Sequence, residues 1–177
     1  LSGERFAWRI QPTFTAYWIG TGYLGGAWFF AGVVRARRWH EVALGFAPVT
    51  VFVWTMLAAT LLHWDRFDPA HLPFRLWLVL YTLTPLVVPA LWWWNGRRDP
   101  RRPDAGETLV PPALRLVMAA IGAVRVVTAL WMFVFPLAAV QAWSWRLTPL
   151  TARVMAGWRA AVAWCSRSMR AGRRGGC

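Results

Sequence analysis

Four apolar blocks divide the chain. They run from Ile10 to Val34, from Val42 to Trp64, from Leu76 to Gly96, and from Leu116 to Trp145, the last interrupted only by Arg125. A helix needs about 20 residues to cross a hydrocarbon core of roughly 30 Å, and each block has that length. Lipid offers backbone groups no hydrogen-bond partner, so blocks of this kind must be helical. A core helix of a water-soluble protein would carry a polar stripe, and none of the four does. The predicted crossings are 13–34, 42–63, 76–96 and 117–140. The expected fold is all-α: an integral membrane helical bundle, forming one membrane domain over residues 1–166, with four transmembrane helices and a fifth, amphipathic C-terminal helix.

The fifth helix is predicted over 149–169. Thr148 reads as its N-cap and Pro149 as its first residue. Arg153 and Arg159 interrupt the apolar run, and a central Arg costs about 2.5–3.5 kcal/mol on membrane-insertion scales. On a helical projection Arg153, Arg159, Arg167 and Arg170 share one side, while Val154, Trp158, Val162 and Met169 take the other. That pattern predicts an interfacial helix or a partial crossing, with Trp158 and Val162 entering the acyl boundary. A basic flexible tail, 167–177, follows, loosened by Gly172, Gly175 and Gly176.

Charge orients the bundle. Arg35, Arg37 and Arg38 follow the first block, and Arg97, Arg98, Arg101, Arg102 and Arg115 follow the third. Only Arg5, Arg9, Arg66 and Arg75 lie on the opposite side. Arg-rich short loops stay in the cytoplasm, so the N-terminus and the loop from His63 to Arg75 are expected outside. Four crossings would leave the Arg-rich C-terminal region outside as well; a fifth would return it.

Composition adds to this reading. Of 177 residues, 58% are hydrophobic and 15% charged, and the net charge is +13 with all 20 basic residues Arg. A charge of that size often marks nucleic-acid binding. Here the Arg residues sit between apolar blocks, so no nucleic acid is expected, and the bilayer with its anionic headgroups is the expected partner. The bias toward Arg, Ala, Gly and Pro matches GC-rich codons, and the expected location is the inner (plasma) membrane of a bacterium. Trp18, Trp39, Trp64, Trp77, Trp92–Trp94, Trp143 and Trp145 cluster near block ends, as an aromatic belt would. The first block is too long for a signal-peptide core, and a chain that begins at Leu1 rather than Met is what a fragment would show.

Few groups could carry chemistry. Gly22 and Gly26 form a G-x-x-x-G that lets another helix approach, either within the bundle or in a homo-oligomer. Pro48, Pro85, Pro89 and Pro136 lie inside blocks and should bend them. Arg125 is the one strong charge inside the four blocks. It reads as an anion site or, with the fourth crossing slid toward Val140, as a side chain snorkelling to the headgroups; the latter is adopted here. His63, Asp65, Asp68 and His71 bring two imidazoles and two carboxylates into one loop, enough to hold a divalent metal, although the same residues make a turn and an ion pair. No cofactor is expected, since His40 and His63 close opposite ends of one helix, about 34 Å apart by rise. No nucleophile elbow, zincin motif or P-loop is present, which argues against an enzyme.

The stretches TMLAATLLHWDRFD (55–68), LYTLTPLVVPALWWWNGRRD (80–99) and LTPLTARVMAGW (147–158) resemble a family of uncharacterised multi-pass membrane proteins of high-GC bacteria. The resemblance covers residues 6–158 and implies a topology but no activity. It also implies an apolar crossing beyond Trp158, from which Arg159–Cys177 departs as a truncated or out-of-frame end would. The expected function is that of a non-catalytic membrane subunit or packing module, with partner subunits or a second copy in the membrane. The alternatives are an oligomeric small-solute transporter and a metal-binding membrane protein using the 63–71 loop.

Overall fold

The structure is a computed structural model, which describes residues 6–98 and 111–168, without the side chains of residue 115 and of 162–168. Among the described residues the regular structure is helical, with no strand. The helices are α1 (Thr13–Arg35), α2 (Ala43–Leu62), α3 (Leu72–Arg98), α4 (Pro112–Val134), α5 (Pro136–Ala142) and α6 (Pro149–Ser168). Single 3₁₀ turns, Trp39–Glu41 and Trp64–Arg66, lead into α2 and out of it. The basic loop is described only at its two edges, since 99–110 lie outside the described residues; so does the expected tail from 169 onward.

Among the described residues three helices, α2, α3 and α4, are long and apolar enough to cross a membrane. Four were expected. The missing one is α1, which has the length, at 23 residues, but dilutes its aliphatic content with Thr, Tyr, Trp and Gly.

The fourth block is two helices, not one. Pro136 has no N–H to continue the ladder and crowds the preceding turn. Phe135 leaves helical geometry at φ −116°, ψ 61°, and Pro136 opens the short α5. The helix over the predicted crossing 117–140 runs from Pro112 to Val134. Pro85 and Pro89, expected to bend their helix, lie within α3, which runs unbroken from Leu72 to Arg98.

α6 is the centre of the bundle. It packs closely on α4 and on α2, and those two helices meet chiefly through it. Leu150, Ala152, Val154, Met155 and Ala156 are buried. Gly157 makes the approach to α2 workable: a Cβ there would stand 2.6 Å from the Met56 methyl and 3.0 Å from Thr55 Cγ2. Peripheral placement of this helix is therefore corrected for its described side chains. Val154 and Trp158, expected against lipid, face protein, and Arg153 and Arg159 turn toward α4 instead of headgroups. Partners inside the bundle occupy both sides of the helix for these residues; the side chain of Arg167 and all of Arg170 and Met169 lie outside the described residues.

Polar contacts between helices are few and specific. Trp77 Nε1 donates to Thr60 Oγ1 at 2.9 Å, and that hydroxyl donates to Met56 O at 2.8 Å. Trp145 Nε1 donates to Thr15 Oγ1 at 2.9 Å, tying α1 to the segment before α6. Such bonds act as glue where water is absent. Trp77 is thus an interior residue, not a belt residue, and it packs edge-on against Trp8 at 5.0 Å. At the other end of α3, Arg97 and Arg98 lie over the rings of Trp93 and Trp94, one helical turn back.

Candidate functional site: a cationic cavity behind the first helix

α1 stands off from the bundle. Its backbone approaches the other helices less closely than they approach one another, and large side chains bridge the gap. The Trp158 ring lies over Gly22, where a Cβ would come within 2.9 Å of it. The Phe29 ring covers Gly45 of α2. Tyr23 and Tyr81 join α1 to α3 through a hydroxyl–hydroxyl bond of 2.8 Å. Between these struts remains a half-enclosed cavity of about 900 Å³.

Most of its wall is apolar. α1 contributes Gly22, Gly25 and Gly26, α2 contributes Pro48 and Phe52, and α3 contributes Val88. Gly26 has no atom within 4 Å of the position its Cβ would take, so this face of α1 is open space. The expected G-x-x-x-G is thereby divided: Gly22 accepts an indole of the same chain, and Gly26 borders the cavity.

The charged part of the wall is cationic, beside the neutral polar residues Thr21, Tyr23, Tyr81 and Thr84. Arg125 of α4 and Arg159 of α6 both reach it. Arg159 Nη2 donates to Thr128 Oγ1 at 2.9 Å, and the Thr128 hydroxyl lies 2.8 Å from Val124 O and 3.1 Å from Arg125 O. Both side chains line this one cavity, and Arg159 lies within range of the Arg125 charge. Arg159 Nε and Trp158 Nε1 are buried with no hydrogen-bond partner. Arg125 was expected to snorkel after a slide of its helix toward Val140. The break at Pro136 removes that slide, leaving Arg125 about 14 Å of rise inside the end of α4. Sequence reasoning missed Arg159 as its neighbour because the two meet only in three dimensions.

The loop residues take a different course. His63 Nε2 lies 2.7 Å from Arg153 Nη1 of α6. Arg153 also donates from Nε to Phe133 O at 3.0 Å, satisfying a carbonyl at the broken end of α4. Burial, and then the Arg153 charge, hold the His63 pKa below its ordinary value, partly opposed by Asp65. Asp65 pairs with Arg66 at 3.1 Å, and Asp68 Oδ1 accepts Ala70 N–H at 2.8 Å in an Asx turn. The structure does not gather His63, Asp65, Asp68 and His71 around one point. Among the described residues no three His, Cys, Asp or Glu side chains are placed to hold a metal ion.

No family model, curated protein or solved structure matches the chain.

Proposed function

We propose that this chain is a multi-pass integral membrane protein of a bacterial plasma membrane, acting without catalysis of its own as a membrane subunit or packing module. In this reading α1, α2, α3, α4 and α6 all cross. The observation that carries it is the distribution of burial. Leu24, Trp28 and Val34 of α1, Leu76 and Leu83 of α3, and Leu116, Val127 and Leu130 of α4 point outward, while Thr15, Thr60 and Thr151 are buried. An apolar exterior of this extent would associate in water, and small polar residues between helices suit a lipid surround.

The direction of α6 supports five crossings. Arg153, in its second turn, meets the ends of α2 and α4, so α6 starts at that face and runs back through the bundle. A returning helix carries the Arg-rich C-terminal region to the side of Arg35–Arg38 and Arg97, which removes the charge conflict of a four-helix arrangement. The low apolar content of α6 is no obstacle, because neighbours shield it from lipid.

Cysteine labelling in intact cells tests the topology. On a background with Cys165 and Cys177 replaced, Cys at Ala70 should react with an impermeant thiol reagent, while Cys at Ala105 and at Ala171 should not. Labelling at Ala171 but not at Ala105 would leave four crossings; labelling at Ala105 would reverse the orientation.

A further inference from the structure

We propose that the cavity behind α1 binds a single-chain amphiphile ending in a phosphate, its chain along α1 and its head between Arg125 and Arg159. The proposal rests on the membrane reading above and goes beyond it.

Size comes first. At about 900 Å³ the space is that of one ligand, near the upper end of the roughly 300–1,000 Å³ of small-molecule sites. Its walls of glycine, aromatic and aliphatic residues suit a hydrocarbon chain, it is only half enclosed, and there is open space over Gly26 of α1.

Charge selects the head. Two cations share one wall, and no carboxylate among the described residues pairs with either. Charges held away from water call for a counter-charge. A carboxylate would balance one guanidinium, whereas a phosphate monoester carries about −1.5 to −2 and balances both. The guanidinium fork also matches phosphate oxygens in pairs. Thr128 holds one end of Arg159 from within the fold, which fixes the guanidinium at the cavity wall.

Equilibrium binding to the full chain in nanodiscs of neutral lipid tests the proposal, with hexadecyl phosphate, hexadecanol and inorganic phosphate as probes. Hexadecyl phosphate should bind saturably at one site per chain, at least about tenfold more tightly than either other probe. Arg125→Gln and Arg159→Gln should each weaken it roughly tenfold. Gly26→Leu fills the open space without touching either Arg and should abolish binding while the melting temperature holds. Hexadecanol binding as tightly would overturn the role of the charges, and inorganic phosphate binding as tightly would overturn the role of the chain. Unchanged binding in Gly26→Leu would overturn the location, even if the Arg variants failed to fold. The labelling experiment does not depend on any of these results, so failure of the site and failure of the membrane topology are separately visible.

Discussion

Arg153 and Arg159 lie on the same helix, less than two turns apart, and live in opposite conditions. Arg153 uses Nε on the Phe133 carbonyl, Nη1 on His63, and stands near the Phe133 ring at 5.7 Å. Arg159 holds one hydroxyl, leaves Nε unmatched and borders a cavity shared with a second cation. The first is a structural cation that repairs a helix end. The second is costly for the bundle to keep and has capacity to spare. A buried charge with its partners inside the fold is evidence about stability, and one without them is evidence about what the fold is built to meet.

The largest expected effect separates the two directly. Arg153→Met should lower stability by about 3 kcal/mol, since it removes two hydrogen bonds made by a charged group and leaves a carbonyl bare. Arg159→Met should change stability by less than about 1 kcal/mol, because the loss of one bond is offset by release from a desolvated, repelled charge. Thermal melting in detergent reads both, and equal losses would erase the distinction.

A smaller effect concerns the wall facing Arg159. Gly22→Leu must displace the Trp158 ring and should cost about 1–3 kcal/mol, the range for overpacking. Gly26→Leu enters open space and should cost nothing, or gain up to about 1 kcal/mol from the better helix former. The pair sharpens the comparison, since only one glycine is then part of the packing. Comparable destabilisation by both would mean that the cavity is closed in solution.

The smallest effect is a pH dependence at Arg153. His63 faces Arg153, with Asp65 and Arg66 nearby, and its folded-state pKa is depressed. An unfolded histidine binds protons near its ordinary value of about 6.5, so below that pH the unfolded state takes up the proton more readily. Stability should therefore be full above pH 7 and decline as pH falls from about 6.5 toward the lower folded value. In His63→Gln, which keeps an acceptor for Arg153, that part of the decline should vanish. A melting temperature that falls equally in both proteins between pH 7.5 and 5.5 would assign the effect to other groups.

Much of the helical layout was legible because crossing helices announce themselves by length. α2 falls inside its predicted block, α3 outruns Leu76–Gly96 at both ends, and α4 covers the first part of the fourth block after starting at Pro112. Arg153 and Arg159 give α6 an amphipathic pattern in sequence, which predicts a peripheral helix, but Val154, Met155 and Ala156 are buried among other helices. Pro136 inside the fourth block predicts a kink, whereas its missing N–H ends α4 and opens α5. The cavity was harder still. It exists because Trp158, Phe29 and Tyr23 prop α1 away from the bundle, a distance that no local pattern encodes. The available signal was Arg125: one uncompensated charge inside an apolar block, for which a second residue should have been sought.

The central position of α6 also sets an order of events during synthesis. Both helices that it holds apart are made before it. The bond from Trp145 to Thr15 joins residues 130 positions apart, and the contact of Arg153 with His63 spans 90. On the proposed membrane reading, α2 and α4 enter the bilayer before the faces that receive Leu150 to Gly157 have their partner. The bundle is therefore completed from the inside by a late arrival, and α2 and α4 gain their shared partner only then. Loss of the last described helix would not trim an edge of this protein but empty its middle.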